Sequence, residues 1–409
     1  MKVAILHSGD THNMKGIMNY VHEKALRFKN RDDKDFECDV FCIRQEYSRL
    51  FTWLVLRKKF IQNTEHPISE IIGGVVYNYI WITYGLYDCF IASKLFKHLI
   101  SFRYLPILRR RLKHYDVLTT HNLECHQLAM MLSKQYAKPF ICTWHGSDIH
   151  TLPFQKKSIY DITRKVIEQA DMNYFVSNNL LQLSNSISAN GNKQVLYTGP
   201  SSIFRKFDKD KRQWCRRQLT EEDRIFIGFV GNLYAVKNVL ILPDILAVVK
   251  AKLPSDIGVQ LVIVGDGPLR IQLEQKLSNK SIDAKFLGNV SPEQIPEIMN
   301  GLDLLILPSI NEGLPLVTLE ALKCGIHVVG SKVGGIPEAI GDNNCFNLDE
   351  CFVDNISDRI VEIINNKEVP PSLDERFSWE VAVNKEISLI KSLYKKHPTE
   401  SIEYRSVKG

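Results

Sequence analysis

Short apolar runs separated by amphipathic stretches set the pattern of this chain. In its C-terminal half, Ile225–Val230, Val259–Val264, Leu304–Leu307 and His327–Val329 are brief, β-rich apolar segments. Between them, Val239–Lys250, Leu269–Leu277, Ser291–Met299 and Val317–Leu322 carry helical spacing. Strands alternating with helices at this interval predict βαβ units and a parallel sheet. Nearly every expected strand ends in a Gly or a polar loop: Gly231, Gly265-Asp266-Gly267, Ser309–Glu312 and Gly330. In open α/β sheets ligands bind beyond the carboxyl ends of the strands, so the chemistry is expected on these loops.

The N-terminal half repeats the scheme more loosely, with Val3–Leu6, Val40–Ile43, Val117–Thr120, Phe140–Thr143 and Tyr174–Val176 reading as strands. Two Rossmann-like halves follow. The turn-rich break Tyr197–Ser202 divides them, giving an N-terminal domain over 1–200 and a C-terminal domain over 201–375. After Pro370-Pro371, residues 376–409 hold an apolar helix, about Trp379–Tyr394, and a tail that can pack back on the N-terminal domain. One segment departs from the scheme. Residues 51–113 contain 12 aromatic, ten basic and three acidic side chains, and Ile71–Tyr87 is an uncharged run of 17. Aromatic residues interleaved with bases, ending in Arg109-Arg110-Arg111, predict a helical segment lying on an anionic membrane surface.

Composition narrows the class. With 44% hydrophobic and 24% charged residues in 409, the chain is globular, which excludes disorder, collagen and a polytopic membrane protein. A net charge of +6 is too mild to argue for nucleic acid, and none is expected as a partner. Its distribution is more telling: residues 1–205 carry +10 and the remainder −4. The nine cysteines are scattered, without metal-ligand spacing, and MKVAIL is too short an apolar core for a signal peptide. A reduced, cytoplasmic protein is expected.

The most informative stretch is Asn311-Glu312-Gly313-Leu314-Pro315-Leu316-Val317-Thr318-Leu319-Glu320-Ala321. If a helix begins near Pro315–Leu316, the missing N–H of Pro315 costs nothing there. The free amides of the first turn, about Gly313 to Val317, then face an anion, as helix N-termini hold phosphate. Glu312 precedes those amides and Glu320 lies about one turn inside the helix. Each carboxylate is placed for ligand hydroxyls, so the site would recognise hydroxyl, phosphate and hydroxyl, as in a nucleotide sugar.

Glu312–Glu320 resembles the E-x7-E motif of glycosyltransferase family 4, the group 1 retaining GT-B glycosyltransferases. Four further motifs lie in register with it. The stretch from Phe229 through Gly231-Asn232-Leu233 to Lys237-Asn238 resembles the family's G-(R/N)-L-x-x-x-K-(G/N) loop. Val264-Gly265-Asp266-Gly267-Pro268 resembles its G-x-G-P turn, Phe286-Leu287-Gly288 its F-x-G strand, and Gly334-Gly335-Ile336-Pro337-Glu338 its G-G-x-x-E segment. The resemblance implies an α/β GT-B fold, two Rossmann-like parallel-sheet domains facing a central cleft. It also implies roles. Lys237 would neutralise the donor diphosphate, Glu312 would hold the donor hexose and Glu320 the ribose, while the main chain around Leu287–Val290, with Gly288, would read the base. Where many relatives have Arg, this chain has Asn232.

In the N-terminal half, Thr143-Trp144-His145-Gly146-Ser147-Asp148 resembles the family's T-x-H-G-x-D loop, which implies that His145 lies at the sugar, beside the acceptor. Asp148, with His121 and Asn122, is expected to line the acceptor cleft. Ser8–Gly16 resembles the glycine loop near the donor phosphates, with Lys15-Gly16 standing where many relatives have Gly-Gly. No motif carboxylate is placed as a glycosidase-type nucleophile. The resemblance implies front-face attack, the departing phosphate taking the acceptor's proton.

Other classes fit less well. A metal-dependent GT-A enzyme would need Asp-x-Asp after a strand, but Asp208-Lys209-Asp210 and Asp33-Lys34-Asp35 lie in charged, loop-like stretches. An oxidoreductase would need G-x-G-x-x-G after the first strand, and an epimerase fits E-x7-E poorly. The expectation is a retaining transferase moving a hexosyl unit from a UDP- or GDP-sugar, without cofactor or essential metal. The acceptor is expected to be a glycan, lipid-linked at the inner face of the plasma membrane, in surface polysaccharide biosynthesis. An inactive nucleotide-sugar-binding homologue, acting as a partner in a glycan assembly complex, is the alternative, supported by Asn232.

Overall fold

The computed structural model describes residues 1–9, 16–31, 36–48, 53, 67–84, 105–220, 222 and 224–396. The chain forms two compact units. The first holds Met1–Val176, Leu181–Leu196 and the chain from Glu380 on; the second holds Ser177–Leu180 and Tyr197–Trp379.

The first unit is built on an eight-stranded sheet. Its strands are β1 (Lys2–Ser8), β2 (Glu37–Tyr47), β3 (Ser69–Ile72), β4 (Val75–Tyr84), β5 (Val117–His121), β6 (Phe140–Trp144), β7 (Met172–Phe175) and β8 (Lys193–Val195). Their order is β3-β4-β2-β1-β5-β6-β7-β8, parallel except for the antiparallel pair β3–β4. Every residue of β5 and β6 is buried. A parallel strand covered on both faces has no polar alternation to show, and the apolar starts Val117-Leu118 and Phe140-Ile141-Cys142 are what mark these two in the sequence. Ile5 of β1 pairs with Val40 of β2 on one side and Thr119 of β5 on the other. Strand order therefore reverses about β1, and the ends of β1 and β5 form the switch point where such sheets place ligands.

The region 51–113 corrects the helical expectation where it is described. Residues 105–112 form a helix, but Ile71–Tyr84 is an antiparallel hairpin with Ile72 opposite Val75. Gly73 and Gly74 have φ of 52° and 83°, the two positive values a tight I′-type hairpin turn requires. The β-branched and aromatic run after them then pairs as β4 against β2. The described part of the uncharged run, Ile71–Tyr84, is strand and turn rather than helix. Lys94, Lys97 and Arg103, the Asp33-Lys34-Asp35 triplet, and residues 10–15 of the expected glycine loop lie outside the described residues.

In the second unit six parallel strands, β9 (Ile225–Val230), β10 (Val259–Val264), β11 (Ala284–Gly288), β12 (Leu304–Leu307), β13 (His327–Ser331) and β14 (Cys345–Phe346), run in the order β11-β10-β9-β12-β13-β14. Alternate residues of one strand enter opposite layers. Phe226, Val262 and Leu305 pack with Leu319 and Ile340 on one face; Phe229, Ile263 and Ile306 pack with Leu246, Phe352 and Ile356 on the other. Order reverses between β9 and β12, which meet at Ile227 and Leu304. Lys209 and Asp210 open the helix Lys209–Leu219 rather than lying in a loop, and Asp208, at the end of the loop, caps it by accepting the Lys211 N–H at 2.9 Å.

The closing helix Trp379–Lys396 supplies Glu386 to the first unit. Lys24, on the helix Ile17–Lys29, is fully buried and donates to Glu386 Oε1 at 2.6 Å and to Thr119 Oγ1 at 2.7 Å. Thr119 Oγ1 in turn donates to Glu386 Oε1 at 3.1 Å.

Candidate functional site

In the second unit the loops after β9, β10 and β11 are stitched by their backbones. The Gly231 N–H donates to Val264 O at 2.9 Å, and the Gly265 N–H to Gly288 O at 2.7 Å. Gly265 has φ +116°, and a Cβ there would lie 2.1 Å from Gly231 O, so only glycine permits this approach. Asn232 follows, half-buried, its carbonyl accepting the Tyr234 N–H. Leu287 and Val290 stand half-buried at the end of β11.

The chain then turns through a 3-10 segment, Ala235–Lys237, which aims Lys237 at the loop after β12. Lys237 Nζ donates to Glu312 Oε1 at 2.5 Å, and Ser309 Oγ donates to the same oxygen at 2.7 Å. The Ile310 N–H bonds Val236 O at 2.8 Å, tying the two loops together. An ammonium and a carboxylate, 24% and 12% exposed, are thus fixed at the β9/β12 switch point.

Gly313 and Leu314 lead to Pro315, after which the helix Leu316–Lys323 begins. The amides of Leu316 and Val317 belong to its first turn and have no intrahelical acceptor, while the Thr318 N–H returns to Pro315 O at 3.1 Å. Glu320 is half-buried just over one turn in. Gly334 (φ +54°) presses against this loop from behind: a Cβ there would lie 1.9 Å from Glu312 O. One Cβ on Gly335 would lie 2.3 Å from Gly313 O.

Two contributors here escaped the sequence reading. Ser309 orients Glu312 from three residues away, on a loop with no period to betray it. Arg270 places its guanidinium over the Phe286 ring at 5.4 Å and pairs with Asp266 and Glu274 at 3.2 and 2.9 Å. It therefore stands beside Gly288, a cation that no motif flagged.

The first unit gathers a different set at the β1/β5 switch point. His7 Nδ1 lies 2.9 Å from Asn122 Oδ1, which also accepts the Ser8 N–H. His121 is wholly buried at the end of β5, and its Nδ1 lies 2.9 Å from Nε2 of half-buried His145. Tyr20 meets the His145 ring edge-on at 4.7 Å. Gly16, at φ +56°, opens the helix that carries Tyr20.

Asp148 turns to its own loop. It is buried, and its carboxylate accepts the Gly146 N–H at 2.9 Å and the His145 N–H at 3.2 Å. It holds the loop that presents His145. His121 is likewise buried, and Asn122 gives its carbonyl oxygen to His7 and Ser8. His7, which the sequence reading passed over, completes the cluster.

Burial governs the charges. It pushes His7 down to about 4 and His145 to about 3, the latter helped by the neighbouring His7 and Lys24. His121 is held well below the usual imidazole range, again chiefly by burial. Burial drives Asp148 up to about 6 despite the backbone N–H groups that favour its anion. At neutral pH the imidazoles are uncharged.

Residues 210–378 match the family described as Glycosyl transferases group 1. That segment is a group 1 glycosyltransferase domain. Among relatives of this glycosyltransferase, the N-acetyl-alpha-D-glucosaminyl L-malate synthase of Bacillus anthracis is 27% identical over 324 residues, 78% of this chain and 80% of that protein. The putative teichuronic acid biosynthesis glycosyltransferase TuaC of Bacillus subtilis (strain 168) is 24% identical over 58% of each chain. Among solved structures, Anabaena HepE in complex with UDP-glucose superposes with a TM-score of 0.69 at 18% identity, covering 96% of this chain and 99% of that one. Sucrose-phosphate synthase from Thermosynechococcus elongatus gives 0.73 at 16%, covering 97% and 99%. The two parallel-sheet units are a GT-B fold.

Among the described residues of the glycosyltransferase, no group of three or more His, Cys, Asp or Glu is arranged to hold a metal ion. No helix among them is long and apolar enough to cross a membrane.

Proposed function

We propose that the enzyme transfers a hexosyl unit, with retention, from a UDP- or GDP-sugar to a glycan acceptor. The Lys237–Glu312 contact carries this reading, set as it is beside the open amides of Leu316 and Val317. Lys237 and those amides neutralise the donor diphosphate, without an essential metal; Glu312 holds the hexose hydroxyls and Glu320 the ribose. His145 stands at the sugar. The bond from the anomeric carbon to the phosphate oxygen breaks as the acceptor oxygen attacks from the same face. The acceptor's proton passes to the departing phosphate. Glu312 then positions the donor and takes no proton.

Nucleotide release from a panel of UDP- and GDP-sugars tests this, with Lys237→Ala and Glu312→Ala alongside. One donor is expected to turn over, with a loss on the order of 100-fold in each variant. No release from any donor, with glycan acceptors supplied, would leave the second reading, a nucleotide-sugar binder without turnover. The Asn at position 232 favours that reading.

The acceptor is proposed to be lipid-linked, in surface polysaccharide assembly at the cytoplasmic face of the plasma membrane. Support comes from the basic first half and from exposed side chains of the first unit. There the helix 105–112 exposes Ile107 with Arg109 and Arg110, and Arg111 donates to Tyr79 O of the hairpin at 2.6 Å. The hairpin exposes Ile68 and Ile71. Binding to anionic liposomes is expected at low salt and should fade as salt rises. Indifference to such liposomes would point to a soluble acceptor.

A further inference from the structure

The contact between His121 and His145 holds one hydrogen, and which ring supplies it decides what His145 can do. The atoms are His121 Nδ1 and His145 Nε2, 2.9 Å apart. If His145 donated, His121 would have to carry its own proton on Nε2. That atom is buried without a hydrogen-bond partner, and an orphaned N–H in the interior is the rarer and costlier defect. If His121 donates, its Nε2 keeps only a lone pair, and no buried N–H is stranded.

We infer that His121 is a positioning residue that locks His145 in the Nδ1–H tautomer. The buried ring of His121 donates from Nδ1 into His145 Nε2. His145, being neutral, then carries its hydrogen on Nδ1. Its remaining freedom is taken by two other contacts: Asp148 accepts its backbone N–H at 3.2 Å, and Tyr20 meets its ring edge-on at 4.7 Å.

The consequence is chemical. The lone pair of His145 is spent on His121, and the other nitrogen bears a hydrogen. His145 is therefore a hydrogen-bond donor to a hydroxyl oxygen of the transferred sugar or the acceptor, and cannot take the acceptor's proton. Burial keeps both rings neutral, so protonation does not erase the distinction. The inference rests on the proposal that His145 stands at the sugar.

Long-range 1H–15N spectra of the full-length protein, labelled with 15N-histidine, read the tautomer directly. The His145 signals are identified by their disappearance in His145→Gln. At pH 7 its Nδ1 should show the shift of a protonated ring nitrogen and Nε2 that of a bare, hydrogen-bonded one. The reverse pattern overturns the inference. His121→Phe, which cannot donate, should lower kcat/KM about tenfold, the loss of one hydrogen bond in the transition state. His121→Asn, whose amide can offer an N–H near the old Nδ1, should recover most of that loss. Equal impairment of the two variants would reduce His121 to a packing residue and sink the proposed lock. Should His121→Phe fail to fold, the wild-type spectrum still decides. Full turnover by His145→Ala would instead remove His145 from the sugar, while leaving the tautomer as the spectra report it.

Discussion

Gly334 is a residue whose absence of a side chain is a structural demand. At φ +54°, with a carbonyl 1.9 Å from where Cβ would be, Gly334→Ala must push the Glu312 backbone aside or twist its own. The expected cost is about 2–4 kcal/mol, with a raised donor KM, read by thermal unfolding and initial rates. The sequence made Glu312 and Glu320 stand out because seven residues separate them, Pro315 marks a helix start between them, and Glu320 falls about one turn inside that helix. Lys237 was legible only through resemblance, since a lone lysine carries no period. Ser309, Arg270 and His7 were hidden because their partners are set by loop closure and strand order. That Asp148 braces its own loop was not legible, for burial of a carboxylate under its own backbone amides leaves no trace in one-dimensional spacing.

Among the elements, strands were read best where both faces are covered: β9, β10 and β12 were legible to the residue. The β3–β4 hairpin was lost because a 17-residue uncharged run looks like a helix or a span unless Gly73-Gly74 is taken as its turn. Short edge strands such as β8 and β14 carry too few apolar residues to announce themselves. The helix Ile17–Lys29 is fastened to the closing helix by Lys24 and Glu386, 0% and 2% exposed. Lys24→Met alone strands a buried carboxylate and should cost about 3–5 kcal/mol in urea unfolding. Adding Glu386→Leu should restore most of that stability, because two apolar groups then replace two charges. A double variant as weak as the single one would show that Thr119 and packing, rather than the charges, hold the helices.

For the molecule as a whole, the buried histidines predict acid lability in the first unit. Unfolded, His7 and His145 titrate near 6.5; folded, near 4 and 3. Above about pH 6.5 both states hold neutral rings and the stabilisation is complete. Below it the unfolded chain takes protons that the folded one refuses, so stability falls towards pH 4. Asp148 opposes this, because its folded value of about 6 lies above its unfolded one and favours the fold as the pH drops from 6 to 4. Two histidines with wider spans outweigh it. The urea midpoint should therefore fall between about pH 7 and about pH 4.5, and His7→Gln should flatten the slope. Two α/β halves of unlike charge were legible from run spacing and charge count alone, whereas the return of residues 380–396 to the first unit was legible only as one of the places the helix after Pro370-Pro371 could take, because a helix's apolar face does not say what it will cover. That return has a consequence for synthesis. A nascent chain of about 200 residues already holds all eight strands of the first sheet, yet Glu386, the carboxylate that Lys24 pairs with, arrives only when residue 386 has left the ribosome. The second unit can finish folding while the first still waits, so the half that begins the chain is the last to be sealed.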